Sequence, residues 1–206
     1  VLDFSTEAFN SEEEFDSCYD KKLSIIEFVK NRTEIPFTVF KPTCLGSIDL
    51  FKKKTNGETL NEDENILWNK VVLRFEGVCQ KAFENDIKVL IDAEEVFVQK
   101  AIDDLAILMM LKFNKKKPIV FNTVQMYRWD RLEYLKILLN DKNNNDITFG
   151  FKLVRGAYME KERLTAKSLN IKSPICESKL ETDVNFDSGL DFVFENLNRI
   201  SLVCGS

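Results

Sequence analysis

The chain is predicted to be an α/β protein built on a parallel sheet. Short apolar runs alternate with segments of helical periodicity along its whole length, and the runs are apolar at successive positions rather than at every second one. Strands buried on both faces read in this way, and repeated strand–helix alternation is the pattern of βα units. Three of the runs also lead straight into polar clusters, at Asp92-Ala93-Glu94-Glu95, at Asn122-Thr123-Val124-Gln125 and at Arg155-Gly156-Ala157-Tyr158. In parallel sheets, ligand-facing groups gather just beyond the carboxyl ends of strands. The pattern alone fits a doubly wound sheet and a barrel equally well.

Six strands are expected, at residues 1–4, 38–41, 89–91, 119–121, 148–154 and 200–203. Between the first two, Phe15, Cys18, Tyr19, Ile25, Ile26 and Val29 recur at helical spacing, and Pro36 marks the break that follows. After strand two comes a loop rich in Lys, Thr and Gly. Asn61 with Glu64 three residues on resembles a capping box, and the helix it opens carries Leu67, Val71, Phe75, Val78 and Ala82 on one face. The helix after strand three shows one stripe of Val98, Ala101, Ile102, Leu105, Leu108 and Met109. Pro118 precedes strand four, residues 129–139 form a further helix, and residues 140–146 are a polar loop of turn formers. Strand five runs into a charged helix, and a helix bearing Phe186, Leu190, Val193 and Leu197 precedes strand six. Trp68 and Trp129 are expected to pack from their helices onto the sheet.

With 206 residues, 44% hydrophobic and 31% charged, the chain can build one substantial core as a single unit. Its apolar runs fall far short of the ~20 residues that span a bilayer, and no signal or transit peptide is visible. A net charge of −5 with acids and bases interleaved argues against nucleic acid as a partner. Lys115, Lys116 and Lys117 read as a solvated loop. Cys18, Cys44, Cys79, Cys176 and Cys204 are scattered, without a CxxC pair, and histidine is absent, so reduced thiols and no metal site are expected. The lack of histidine also removes the commonest general base. Catalysis must run on Lys, Arg, Asp, Glu, Tyr or a cofactor.

Lys152 stands out because a lysine in a strand of Phe, Leu and Val is costly to bury without a partner. It shares a face with Val154, while Arg155 points the other way at the rim. The plain alternative is a cluster of solvated charges at a helix start. Asp92, Glu94 and Glu95 admit the same two readings, since carboxylates just before a helix commonly serve its dipole. Gln125 offers both a donor and an acceptor from one amide, and otherwise reads as a loop residue.

The Ile91-Asp92-Ala93-Glu94, Asn122-Thr123-Val124-Gln125 and Lys152-Leu153-Val154-Arg155-Gly156-Ala157-Tyr158 runs, in that order and spacing, resemble the proline dehydrogenase family. Residues 1–4 and Phe40-Lys41-Pro42-Thr43 sit where that family has its first two strands. The resemblance implies a (β/α)8 barrel of the TIM type, incomplete here. Residues 1–206 would then be a catalytic barrel truncated at both ends, covering strands one to six. It implies FAD as cofactor and oxidation of L-proline to Δ1-pyrroline-5-carboxylate, the first step of proline catabolism, by hydride transfer from C5 of the proline ring to flavin N5. Electrons then pass to a membrane quinone.

By the same resemblance Lys152 lies near flavin N5. Gln125, Val154, Gly156 and Ala157 contact the cofactor, Tyr158 packs near ring and substrate, and Leu153 is an apolar wall of the proline pocket. Asp92 sits in the active site, where it pairs with Lys41, which contacts the proline carboxylate. The implied location is the bacterial cytoplasm, peripheral to the inner membrane, or alternatively the matrix side of the mitochondrial inner membrane. Two other readings stay open: another flavin-dependent barrel oxidoreductase, and a non-catalytic truncated barrel. From its ends the isolated chain is expected to be inactive and prone to aggregate.

Overall fold

A computed structural model describes residues 9–205 of the chain. The strand expected at residues 1–4 lies outside the described residues. Helix α1, Glu12–Val29, opens with a capping box in which Ser11 accepts from the Glu14 amide and Glu14 accepts from the Ser11 amide. Phe15, Cys18, Ile26 and Val29 form its buried stripe. Strand β1, Phe37–Phe40, follows.

The segment expected to be a loop beyond β1 contains helix α2, Ile48–Asn56, started by Ser47 and ended by Gly57 at φ 71. Its only buried side chains, Leu50 and Phe51, are adjacent in sequence, so no apolar period marks the helix. Helix α3, Glu62–Glu84, has the Asn61–Glu64 capping box expected of it and buries Val71, Phe75, Val78 and Ala82. The order continues with β2 (Lys88–Ile91), α4 (Val96–Phe113), β3 (Val120–Gln125), α5 (Arg131–Asn140), β4 (Phe149–Val154), α6 (Met159–Ser168), α7 (Lys179–Glu195) and β5 (Ile200–Cys204).

Strand β3 runs to Gln125, well past the expected residue 121, and the side-chain nitrogen of Asn122, the hydroxyl of Thr123 and the amide of Gln125 find partners within the fold. Asn122 donates to Asp103 on α4 at 2.9 Å. Trp129 precedes α5 and is 52% exposed, with its indole N–H on the Ser173 carbonyl, so it does not pack onto the sheet. Trp68 packs edge-on at 5.4 Å against Phe51 of helix α2, a helix-to-helix contact rather than one with a strand. Leu108 and Leu197 are exposed rather than core, Leu197 lying past the end of α7. Lys115, Lys116 and Lys117 are exposed.

The described strands form one parallel sheet of five in the order β1-β2-β3-β4-β5. Spatial order equals chain order, with no reversal, which is not the arrangement of a doubly wound sheet. Nothing closes the sheet among the described residues: β1 and β5 are its edges. One face carries Phe40, Val89, Ile91, Val120, Phe149, Phe151, Leu153 and Ile200 into the main core with the helices. Fully burying side chains of this size contributes about 1.5–3 kcal/mol each. The other face holds a small cluster of Val39, Leu90 and Phe121 with Phe37 and Val203 at its sides.

Candidate functional site

Register decides which polar side chains meet. Phe40 is opposite Ile91, Ile91 opposite Asn122, Thr123 opposite Lys152, and Lys152 opposite Val203. Continuing the pairing by one residue places Lys41, Asp92, Thr123 and Lys152 in a single layer at the carboxyl ends of β1 to β4. That layer lies directly above the apolar layer of Val39, Leu90 and Phe121. Asp92 Oδ1 accepts from Lys152 Nζ at 2.8 Å and from Thr123 Oγ1 at 3.3 Å. Asp92 therefore forms its ion pair with Lys152, where the resemblance implied Lys41. The four-carbon lysine stem reaches across β3, over the short Thr123 side chain. With 22% and 26% of the two side chains exposed, the pair is shielded from water on most sides.

Lys41, Asp92, Gln125 and Lys152 line one cavity of about 230 Å³ with Val154, Gly156, Ala157 and Tyr158. Thr123 and Ala93, not singled out in the sequence, complete its lining. Thr123 was findable: it occupies the period-two position that faces the same way as Gln125. A second cavity of about 300 Å³ shares Lys41 and Tyr158 and adds Thr43, Glu94, Glu95 and Lys161. Leu153 reaches neither cavity. Strand alternation turns it to the opposite face, where it is fully buried against the helices near Gly189. Arg155 also turns away, pairing with Asp183 at 2.7 Å and lying 4.6 Å over the Phe186 ring.

The rim is held by backbone contacts that use the site's own side chains. Gln125 Nε2 donates to the Glu94 carbonyl at 2.9 Å and its Oε1 accepts from the Ala157 amide at 3.0 Å. One amide hydrogen and one lone pair of Gln125 are left for a ligand. Tyr127 donates its amide to the Arg155 carbonyl at 2.6 Å, which presses its ring under Gly156. Gly156 has φ 142, and a Cβ there would come within 2.5 Å of that ring.

The acidic cluster divides its work. Glu94 accepts from the Thr43 amide at 2.9 Å and from its hydroxyl at 2.8 Å, tying the turn after β1 to the turn after β2. Glu95 precedes α4 without capping it and pairs with Lys161. The first turn of α4 is served instead by Glu162 on α6, which accepts from the Val96 amide at 2.6 Å. A partner 66 residues away leaves no local sequence signal.

Burial, helped by the nearby Glu95 charge, pushes the Glu162 carboxyl up. The folded protein thus holds this proton more tightly than the unfolded chain does. Its contribution to stability is full below the unfolded pKa and is lost as pH rises through the folded pKa. Glu162→Gln keeps an oxygen for Val96 without the buried charge. It is expected to gain stability relative to the native protein as pH rises from the ordinary carboxylate range towards neutrality. Urea midpoints of the two proteins across that range check this, and a constant difference would refute it.

Four of the cysteines are buried and Cys204 is exposed, and none of them is in a disulfide. Among the described residues no group of acidic or cysteine side chains could hold a metal ion. None of the described helices is long and apolar enough to cross a membrane.

Comparison with known proteins bears on this arrangement. The family model for proline dehydrogenase matches residues 1–206. The carbapenem antibiotics biosynthesis protein CarD of Pectobacterium carotovorum subsp. carotovorum is 32% identical over 201 residues, which are 98% of this chain and 52% of CarD. Proline dehydrogenase 2, mitochondrial, of Arabidopsis thaliana is 35% identical over 160 residues, 77% of this chain and 34% of that protein. The chain thus spans about half of the first relative and about a third of the second. Among solved structures, proline utilization A from Bdellovibrio bacteriovorus inactivated by N-propargylglycine superposes with a TM-score of 0.81 at 20% identity. The match covers 98% of this chain and 22% of that one, a likeness of fold. The family match over the whole chain, the identities and the fold agree: this chain belongs to the proline dehydrogenase family.

Proposed function

We propose that the chain forms part of the (β/α)8 catalytic barrel of an FAD-dependent proline dehydrogenase that oxidises L-proline to Δ1-pyrroline-5-carboxylate. The observation that carries this reading is the layer of Lys41, Asp92, Thr123 and Lys152 at adjacent strand ends, in a chain of this family. FAD fits the donor set. Lys152 supplies a cation where a flavin gains negative charge, Gln125 retains one donor and one acceptor for the edge of a ring, and Val154, Gly156 and Ala157 offer a wall with little side chain. When bound, FAD would take up the hydride leaving the carbon next to the substrate nitrogen.

The chain's own residues bind, orient and shield. Lys152, held in place by Asp92, presents positive charge to the developing negative charge, and such a preorganised contact is worth most in the transition state. Lys41 receives the substrate carboxylate and Tyr158 separates ring from solvent, a reading supported by the presence of both residues in the lining of both cavities. Transfer of the electrons to a membrane quinone is part of the same reading. So is a place beside the mitochondrial inner membrane, where the names of relatives, mitochondrial proline dehydrogenases, support the mitochondrion alone. Anaerobic titration of the FAD-loaded protein with L-proline is expected to bleach the flavin band, and a band that keeps its intensity would overturn the substrate assignment.

A further inference from the structure

A line of buried hydrogen bonds leaves the cavity and runs through the back of the sheet. Gln99, on the first turns of α4 and 3% exposed, accepts from the Glu94 amide through Oε1 at 2.8 Å and donates through Nε2 to Asp103 Oδ1, also at 2.8 Å. Asp103, 5% exposed, also accepts from Asn122 Nδ2 at 2.9 Å and, on its other oxygen, from Arg131 at 2.8 Å. Arg131 in turn pairs with Asp130. A buried carboxylate with three donors, one of them a guanidinium, is a fixed anchor, because its charge cannot leave them without a large desolvation cost.

Each amide in this line has only one possible orientation. Gln99 must turn its oxygen to the Glu94 N–H and its nitrogen to the Asp103 carboxylate. Gln125 must turn its nitrogen to the Glu94 carbonyl and its oxygen to the Ala157 N–H. The peptide groups of Glu94 therefore stand between two glutamines. Gln99 holds the amide on one side, and Gln125 reads the carbonyl on the other.

We propose that Gln99, which no cavity contact singles out, is a positioning residue for the site. It locks the turn that carries Asp92 and Glu94 to the Asp103 anchor, and through the Glu94 carbonyl it sets which way the free donor and acceptor of Gln125 face the cavity. The flavin arm of the test rests on the proposed function, whereas the hydrogen-exchange arm does not.

Gln99→Met keeps volume and burial and removes both hydrogen bonds. In the ligand-free protein, exchange of the Ala157 amide is then expected to accelerate on the order of tenfold. That amide is on another loop and bonds to Gln125, not to Gln99, so a residue that only stabilised α4 would leave it unchanged while the Glu94 amide alone sped up. For FAD affinity measured by fluorescence, Gln99→Met and Gln125→Ala are each expected to weaken binding roughly tenfold, and the double variant no more than either alone. Residues acting through one another are non-additive in this way, and independent ones multiply.

If Gln99→Met folds poorly, Gln99→Glu takes its place: it keeps an acceptor for the Glu94 amide but sets two carboxylates together, which breaks the bond to Asp103 and is likewise expected to accelerate exchange at Ala157. An unchanged Ala157 rate in the folded variant, or multiplying losses in the double variant, would each overturn the proposal. A native protein that binds no FAD would overturn the flavin reading instead, leaving the exchange result to decide the role of Gln99.

Discussion

Replacing Lys152 with methionine is expected to slow reduction of the bound flavin by proline about a hundredfold while changing proline affinity little. The site holds Lys152 Nζ 2.8 Å from Asp92, in a cavity that it shares with Lys41, Gln125 and Tyr158, so its charge is already in place before the reaction begins. Removing one such preorganised contact typically costs ~3 kcal/mol of transition-state stabilisation. The substitution also strips Asp92 of its cation and leaves Thr123 as the hydrogen-bond donor. Asp92 keeps access to water, so the loss of fold stability should stay near 1 kcal/mol, the range of partly solvated pairs. Lys152→Arg preserves the charge and should retain most of the rate. Stopped-flow reduction under anaerobic conditions reads the effect directly, and a Lys152→Met rate within about threefold of native would exclude the role.

Gly156→Ala should be the most disruptive change of similar size in the site. At φ 142 a residue with a Cβ costs of order 1–3 kcal/mol in backbone strain alone. The added methyl would also meet the buried Tyr127 ring at 2.5 Å, and that ring is pinned through its own backbone to Arg155. Relief requires moving the 155–157 turn, which pulls the Ala157 amide off Gln125. Lower stability and weaker FAD binding are therefore expected together. Tyr127→Ala placed on Gly156→Ala should recover part of what the clash removes, though not the backbone strain. A denaturation midpoint within error of native would show that the turn is free to adjust and that glycine is not required there.

The sequence by itself determined the parallel α/β class, the helix stripes of α1, α3 and α4, the Asn61 cap, the strand end at which Asp92 stands and the strand that carries Lys152. Those features rest on rules that act within one or two turns of chain: a period of two or 3.6, a cap three residues away, and a polar residue closing an apolar run. Tertiary structure alone decided who meets whom. Asp92 finds Lys152 across β3, Glu162 caps a helix from 66 residues away, Gln99 and Gln125 grip the two peptide groups that flank the Glu94 Cα, and Leu153 faces the helices. Each of these pairings depends on the register between strands joined by long crossovers, where a shift of one residue turns every side chain to the other face. Helix α2 escaped because its buried residues are adjacent rather than periodic, and its cover comes from α4 and Trp68 rather than from a pattern of its own.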